Sequence, residues 1–271
     1  MISRGYNLLA AAILFFAFGA TAQTTKGLSD AEVQGQQLAQ EILSQRPAEN
    51  TNIKGVMQIR DEKGQRSEVP IVSRIIVTID VANTNITLPD WYTFYQATLT
   101  NKMECLRVAH TSGLTNIYTY STNANDAVPV LGDIPVIGRI FGSHPISAPA
   151  LMTPFAGSDF WIADLGLEFF HWPDQKIIKH ESRRSRACVV LESTNPNPTP
   201  GGYSRVDTWI DNETLGIVHA EAYDANGKLI KVFDPKSFKK VNGQWELQDM
   251  EIRNVQTGSR SWIKFDLGSG S

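Results

Sequence analysis

The chain has little of what would narrow its function at once. It carries two cysteines in 271 residues, too few for a disulfide-stapled mini-fold. Neither sign of charge dominates. The 25 Lys+Arg stand against 28 Asp+Glu, for a formal net charge of −3, so there is no broad electrostatic footprint for nucleic acid. There is no Walker loop, G-x-G-x-x-G, G-x-S-x-G, H-E-x-x-H or C-x-x-C, and hence no cofactor to expect and no metal or nucleophile motif. At 42% hydrophobic residues the composition excludes disorder and supports a real core.

Long apolar runs are also scarce. Residues 8–19 (LLAAAILFFAFG) form one, with Arg4 before it and Ala20-Thr21-Ala22 after it. It is too short to span a bilayer, which takes about 20 residues. A basic start, a short apolar stretch and small residues two apart describe a signal peptide, cleaved after Ala22. The expected organisation is therefore a signal at 1–22 and a single domain at 23–271. The mature chain keeps 249 residues and a net charge of −4. It has no second stretch long enough to cross a membrane, so the expected location is the bacterial periplasm. In that oxidising compartment Cys105 and Cys188 either form a disulfide or stay as two buried thiols.

Ser29-Asp30-Ala31-Glu32 has the form of a capping box and opens a helix to about Gln45, with Pro47 as its stop. From Asn52 the period changes to two. Ile75, Val77, Ile79 and Val81 share one strand face, and Ile76 is an apolar exception on the other. Residues 91–100 (WYTFYQATLT) read as a strand, continued by Leu106 and Val108. Residues 121–157 contain five prolines and four glycines and read as an irregular loop. A mostly apolar helix is expected from Ser158 to about Phe170. Further strands are expected at 185–193, 203–210, 216–223, 228–234, 245–255 and 259–267, separated by turn residues. The apolar phase flips within 245–252, which predicts a β-bulge near Gln248-Asp249. The fold class is α+β and mainly β: one large, curved antiparallel sheet, an incomplete β-barrel, wrapped around a few helices.

Polar clusters are few. His219 and Glu221 share a strand face, with Asp207 placed to lie opposite, a pattern open to a metal or acid–base role or to a solvated face. His171, Asp174, His180 and Glu181 flank Trp172-Pro173 as a polar turn. Arg183, Arg184 and Arg186 form a basic run beside Lys176 and Lys179, either an acid-binding patch or a charged sheet edge. Two glycosylation patterns, at Asn85 and Asn212, carry little weight in a bacterial protein. The strongest surplus is aromatic and apolar: Phe160, Trp161, Leu165, Phe169, Phe170 and, on a strand, Trp209. These residues either pack as core or line an apolar concavity open to a lipid or acyl chain.

Residues 155–167 (FAGSDFWIADLGL), 203–211 (YSRVDTWID), 219–231 (HAEAYDANGKLIK) and 250–258 (MEIRNVQTG) resemble, in this order, the outer-membrane lipoprotein-sorting protein family, the LolA-like group of bacterial periplasmic proteins. The resemblance implies a barrel left open around lid-like helices, with a cavity for acyl chains of lipoproteins or another lipid. It implies no catalytic residues, so an enzyme is not expected. It also implies a carrier or chaperone role in transport towards the outer membrane. No lipid-anchoring cysteine follows the apolar run, which fits the soluble carrier of that system. Residues 128–141 (VPVLGDIPVIGRIF) are similar to a short signature of secretins, which is either a coincidence or a loop whose apolar tip meets a membrane or an envelope protein partner.

Overall fold

The computed structural model describes residues 27–78, 89–122, 146, 148–241 and 244–268. The expected signal peptide, the continuation of the second strand through Ile79 and Val81, and the secretin-like stretch 128–141 lie outside the described residues.

Helix α1 (Asp30–Leu43) starts as the sequence predicts. The Glu32 N–H donates to Ser29 Oγ and the Ser29 N–H to Glu32 Oε2, which satisfies two end donors reciprocally. Five strands follow: β1 (Thr51–Arg60), β2 (Arg66–Val77), β3 (Trp91–Thr98), β4 (Met103–His110) and β5 (Ile117–Ser121). Seven more close the chain: β6 (Asp174–Arg183), β7 (Arg186–Thr194), β8 (Arg205–Asp211), β9 (Ile217–Tyr223), β10 (Leu229–Val241), β11 (Gln244–Asn254) and β12 (Arg260–Asp266). They form one antiparallel sheet in the order β5-β4-β3-β2-β1-β12-β11-β10-β9-β8-β7-β6. Two meanders thus meet at a single seam, where β1 pairs with β12 and Met57 faces Ile263. The edges, β5 and β6, are consecutive in the described strand order, and residues 151–172 between them pack on the inner face.

Several sequence expectations need correction. The 158–170 helix is broken into α2 (Ile162–Leu165) and a 3-10 helix at Glu168–His171, with another 3-10 turn earlier at Ala148–Met152. The break falls at Leu167, whose φ of 51° no helix accommodates. The polar group around His171 and Glu181 is no mere turn: Asp174 to Glu181 belong to the edge strand β6. The bulge is where expected, since β11 skips Gln248 between Asp249 and Leu247, and β10 skips Lys236 beside it. Cys105 and Cys188 are both buried and are not bonded to each other. The sheet puts them on β4 and β7, with eight strands between.

Alternation assigns the faces. Met57, Ile59, Val69, Ile71, Leu106, Val108, Ile252 and Ile263 point inward beneath Leu151, Phe155, Phe160, Ile162 and Leu165. Val189, Leu191, Val206, Ile210 and Ala220 point inward beneath α1 and Phe169, Phe170 and Trp172. The Ile76 exception has its own company on the outer face, a small cluster with Tyr92, Phe94 and Ala109.

Helix α1 lies so close to β6 that a Cβ on Gly35 would sit 2.6 Å from the Lys176 backbone. Backbone cannot yield as a flexible side chain does. Gly35→Ala should therefore destabilise the protein by about 1–3 kcal/mol, read as a lowered midpoint in urea unfolding.

Candidate functional site

The structure disperses the aromatic residues singled out in the sequence. Phe160 and Leu165 belong to the core under β1–β4, and Phe169 and Phe170 to the core under β7–β10. Half-buried Trp161 packs against the second of these. Trp209 lies on the opposite, outer face with Cys188 and Val190. The inner face is thus filled by the chain's own segment 151–172, and among the described residues these six line no shared cavity.

One buried cation pins that segment. Lys231 points inward from β10 and is 2% exposed. Its Nζ donates to the Asp159 carbonyl at 2.6 Å and lies 3.5 Å from Asp164 Oδ2. The same ammonium sits 3.5 Å from the Trp161 ring centroid, and Trp161 stacks on Tyr203 at 4.6 Å. A desolvated cation–π contact of this kind is worth about 2 kcal/mol. Asp164 also accepts the Trp161 N–H and the Tyr203 hydroxyl. Burial lowers the Lys231 pKa to about 8 and raises that of Asp164. Asp159 completes the anchorage by accepting the hydroxyls of Ser259 and Ser261.

Beside this plug lies a cleft of about 690 Å³. Its walls are α1 (Ala39, Leu43), Trp91 on β3, His110 on β4, Leu114 in the β4–β5 turn, and Phe170, His171 and Trp172. His110 stacks on Trp91, 3.5 Å between centroids and 10° from parallel, as cross-strand partners. Its Nε2 meets Thr93 Oγ1 at 3.1 Å. Burial lowers the pKa of His110 to about 4, with His171 adding to the effect, and burial lowers His171 too. Two imidazoles that are neutral at pH 7 therefore face an aromatic wall. His171 Nε2 is buried with no hydrogen-bond partner. Arg46 and Asp90 stand among the lining residues. Arg46 donates to the Thr78 carbonyl, and Asp90 accepts the Ser112 N–H. Asn116 bridges the cleft to the plug through the Gly166 carbonyl at 2.9 Å. Gly166 must lack a side chain, because a Cβ there would collide with the Tyr118 ring.

Sequence reasoning missed this cleft. Only the pairing register brings Trp91 and His110 together, and no local pattern announces it. The H-x-E pair, by contrast, folds as expected and does something different. His219 is 3% exposed. Its Nδ1 meets Asp234 at 2.8 Å and its Nε2 meets Glu221 at 3.1 Å, while Tyr223 donates to Glu221 and Asp207 pairs in register with Glu221. Both ring nitrogens are occupied, so the group ties β9 to β10 and offers no open base. Trp209 sits edge-on to His219 and donates to Glu181, under the cations of Lys179 and Arg183. Among the described residues no group of His, Cys, Asp and Glu could hold a metal ion.

No curated protein matches the sequence. A family profile described only as "Uncharacterized protein" matches residues 142–267. Solved structures match over most of the chain. A DUF1329 family protein from Desulfovibrio piger has a TM-score of 0.64 at 18% identity, with 88% of this chain and 92% of that one covered. An outer membrane lipoprotein-sorting protein domain from Vibrio parahaemolyticus has 0.63 at 18%, covering 86% and 91%. A LolA superfamily protein from Nitrosomonas europaea has 0.52 at 12%, covering 88% and 92%. At such identities the likeness is one of fold: an open antiparallel sheet with few helices, similar to the LolA superfamily.

Two outcomes follow from the site's buried charges. Lys231→Met leaves Asp164 buried without its cation and should cost about 3–5 kcal/mol in chemical denaturation, part of which Lys231→Met/Asp164→Asn should recover. Burial raises the Glu168 pKa to about 7, so its contribution to stability is complete below 4.5 and is lost as pH rises through 7. His110 works in the opposite sense, its contribution complete above about 6.5 and lost as pH falls through its folded value. Glu168→Gln should therefore raise stability by roughly 1–3 kcal/mol at pH 8 and leave it unchanged at pH 4, in paired thermal melts.

Proposed function

From a fold shared with LolA-superfamily structures, we propose that the chain is an exported binding protein. It carries a lipid or the acyl chains of lipoproteins through the periplasm, in the sorting of lipoproteins to the outer membrane. The observation that carries this reading is the cleft: 690 Å³ lies within the ~300–1,000 Å³ of small-ligand sites. Its wall sets Leu43, Trp91, Leu114, Phe170 and Trp172 among uncharged polar side chains such as Gln36, Gln40, Thr111 and Asn116, its imidazoles are neutral at pH 7, and its charged groups are Arg46 and Asp90. Such a surface favours an amphipathic ligand, with an apolar chain against the rings and a polar end on the uncharged donors and acceptors. In this reading the protein is a carrier without cofactor, and residues 23–271 act as one domain after removal of 1–22. Among the described residues no helix is long and apolar enough to cross a membrane.

The plug narrows the proposal. Phe160, Leu165, Phe169 and Phe170 pack as core, so the acyl chain is held at the plug's flank, against Trp91, Leu114 and Trp172. A second reading, an adaptor that binds an envelope protein, draws on the exposed Phe238 and Trp245 of the β10–β11 hairpin, the latter 71% exposed.

Native mass spectrometry of gently purified protein tests the carrier. We expect a co-purifying acyl ligand in the wild type, reduced at least fivefold in Trp91→Ala/Leu114→Asp and unchanged in Trp245→Ser. If the wild type stays empty even after incubation with lipoprotein or phospholipid micelles, the carrier reading falls and the adaptor reading stands.

A further inference from the structure

Away from the cleft, the sheet lines up four arginines. Arg66 on β2 faces Arg60 on β1, Arg60 faces Arg260 on β12, and Arg260 faces Arg253 on β11. Directly paired residues share a face. Here it is the outer one, because Ile59, Ser261 and Ile252 point inward. With strands about 4.8 Å apart, the row runs about 15 Å across the seam that joins the two meanders.

Like charges directly opposite one another destabilise a sheet, and three such pairs in succession call for a compensating anion. Among the described residues it is supplied at one position. Arg253 meets Glu251 at 3.3 Å and Asp234 at 3.9 Å. Arg60, Arg66 and Arg260 have no carboxylate partner among the described residues. Two nearby acids are engaged elsewhere. Asp61 accepts backbone N–H groups of its own turn, and Glu68 accepts from Gln58. Arg260 instead lies over the Trp262 ring, its Cζ 4.8 Å from the centroid. Arg60, Arg253 and Arg260 line an open hollow of about 420 Å³ together with Asn254 at the end of β11 and Gly258 and Ser259 of the β11–β12 turn.

We infer that this row is a phosphate-binding site, taking the phosphoryl group of a lipid headgroup or of a soluble phosphate ester. The planar guanidinium fork matches phosphate oxygens two at a time. Several forks around one hollow suit a group with three or four oxygens better than a carboxylate with two. The site does not depend on the cleft: an empty cleft would leave it intact, and the reverse holds as well.

The test uses the full mature chain. Calorimetric titration with inorganic phosphate reads the soluble source. Co-sedimentation with vesicles of phosphatidylcholine alone, or with a third phosphatidylglycerol, reads the lipid source. We expect binding in at least one arm, weakened by salt because exposed charges are screened. It should drop about tenfold in R60Q/R260Q, about threefold in the exposed R66Q, and not at all in K264Q, whose lysine lies on the same face of β12. Since R60Q/R260Q removes repulsion, its melting temperature should hold or rise, so loss of binding is not loss of fold. Should that variant fail to fold, R66Q decides alone. Vesicle binding that needs phosphatidylglycerol assigns a lipid headgroup, and phosphate binding without vesicle binding assigns a soluble ester. No binding in either arm, or equal binding by wild type and R66Q, overturns the site.

Discussion

The ammonium of Lys231 is the contact on which the inner architecture depends. It is a full charge with almost no access to water, a state a lysine tolerates only when its surroundings replace the lost hydration. Here the replacement comes from one segment: the Asp159 carbonyl, the Asp164 carboxylate and the Trp161 face. Residues 159–164 must therefore come to β10, and Asp159 in turn reaches β12 through Ser261. The rest of the plug follows from that position. Phe160, Ile162 and Leu165 are set into one half of the core and Phe169 and Phe170 into the other. The cleft is what is left between the plug, α1 and the β4–β5 turn.

What could be read from the sequence was what depends on near neighbours. The capping box of α1, the strands of the last third and the turns between them rest on contacts a few residues apart. Asp224 Oδ1 accepts the N–H groups of Asn226 and Lys228, and Asn254 Oδ1 those of Gln256 and Thr257. The bulge near Gln248 showed because a phase change is itself a local pattern. The apolar plug was legible as apolar but not in its shape. Its anchors lie far off in sequence, Ser261 for Asp159 and Glu104 for the Ala156 N–H, and they hold a conformation that local propensity would have left helical.

The site was legible in composition and illegible in place. Period-two counting from Val206 and Ile210 would have set Trp209 on the far face with Asp207 and Asp211, where it is found. Trp91, His110 and Leu114 carry no shared pattern, since their proximity comes from a register between strands. Strand β6 escaped for a related reason. An edge strand that shows one face to water reads as a run of charge, and Lys176, Lys179 and Arg183 hide the alternation beneath them.

The seam between β1 and β12 has a consequence for how the chain reaches this state. Strand β1 is made early and its outer neighbour is the last strand in the sequence. Until residues 260–266 exist, the first meander keeps one flank of open backbone donors and acceptors, in a place that later becomes the middle of the sheet. Contacts so distant along the chain close slowly, because loop entropy is spent before they form. A cell that let the nascent N-terminal half fold on its own would be left holding a sticky half-sheet. A polypeptide kept unfolded until all of it has been synthesised avoids that hazard.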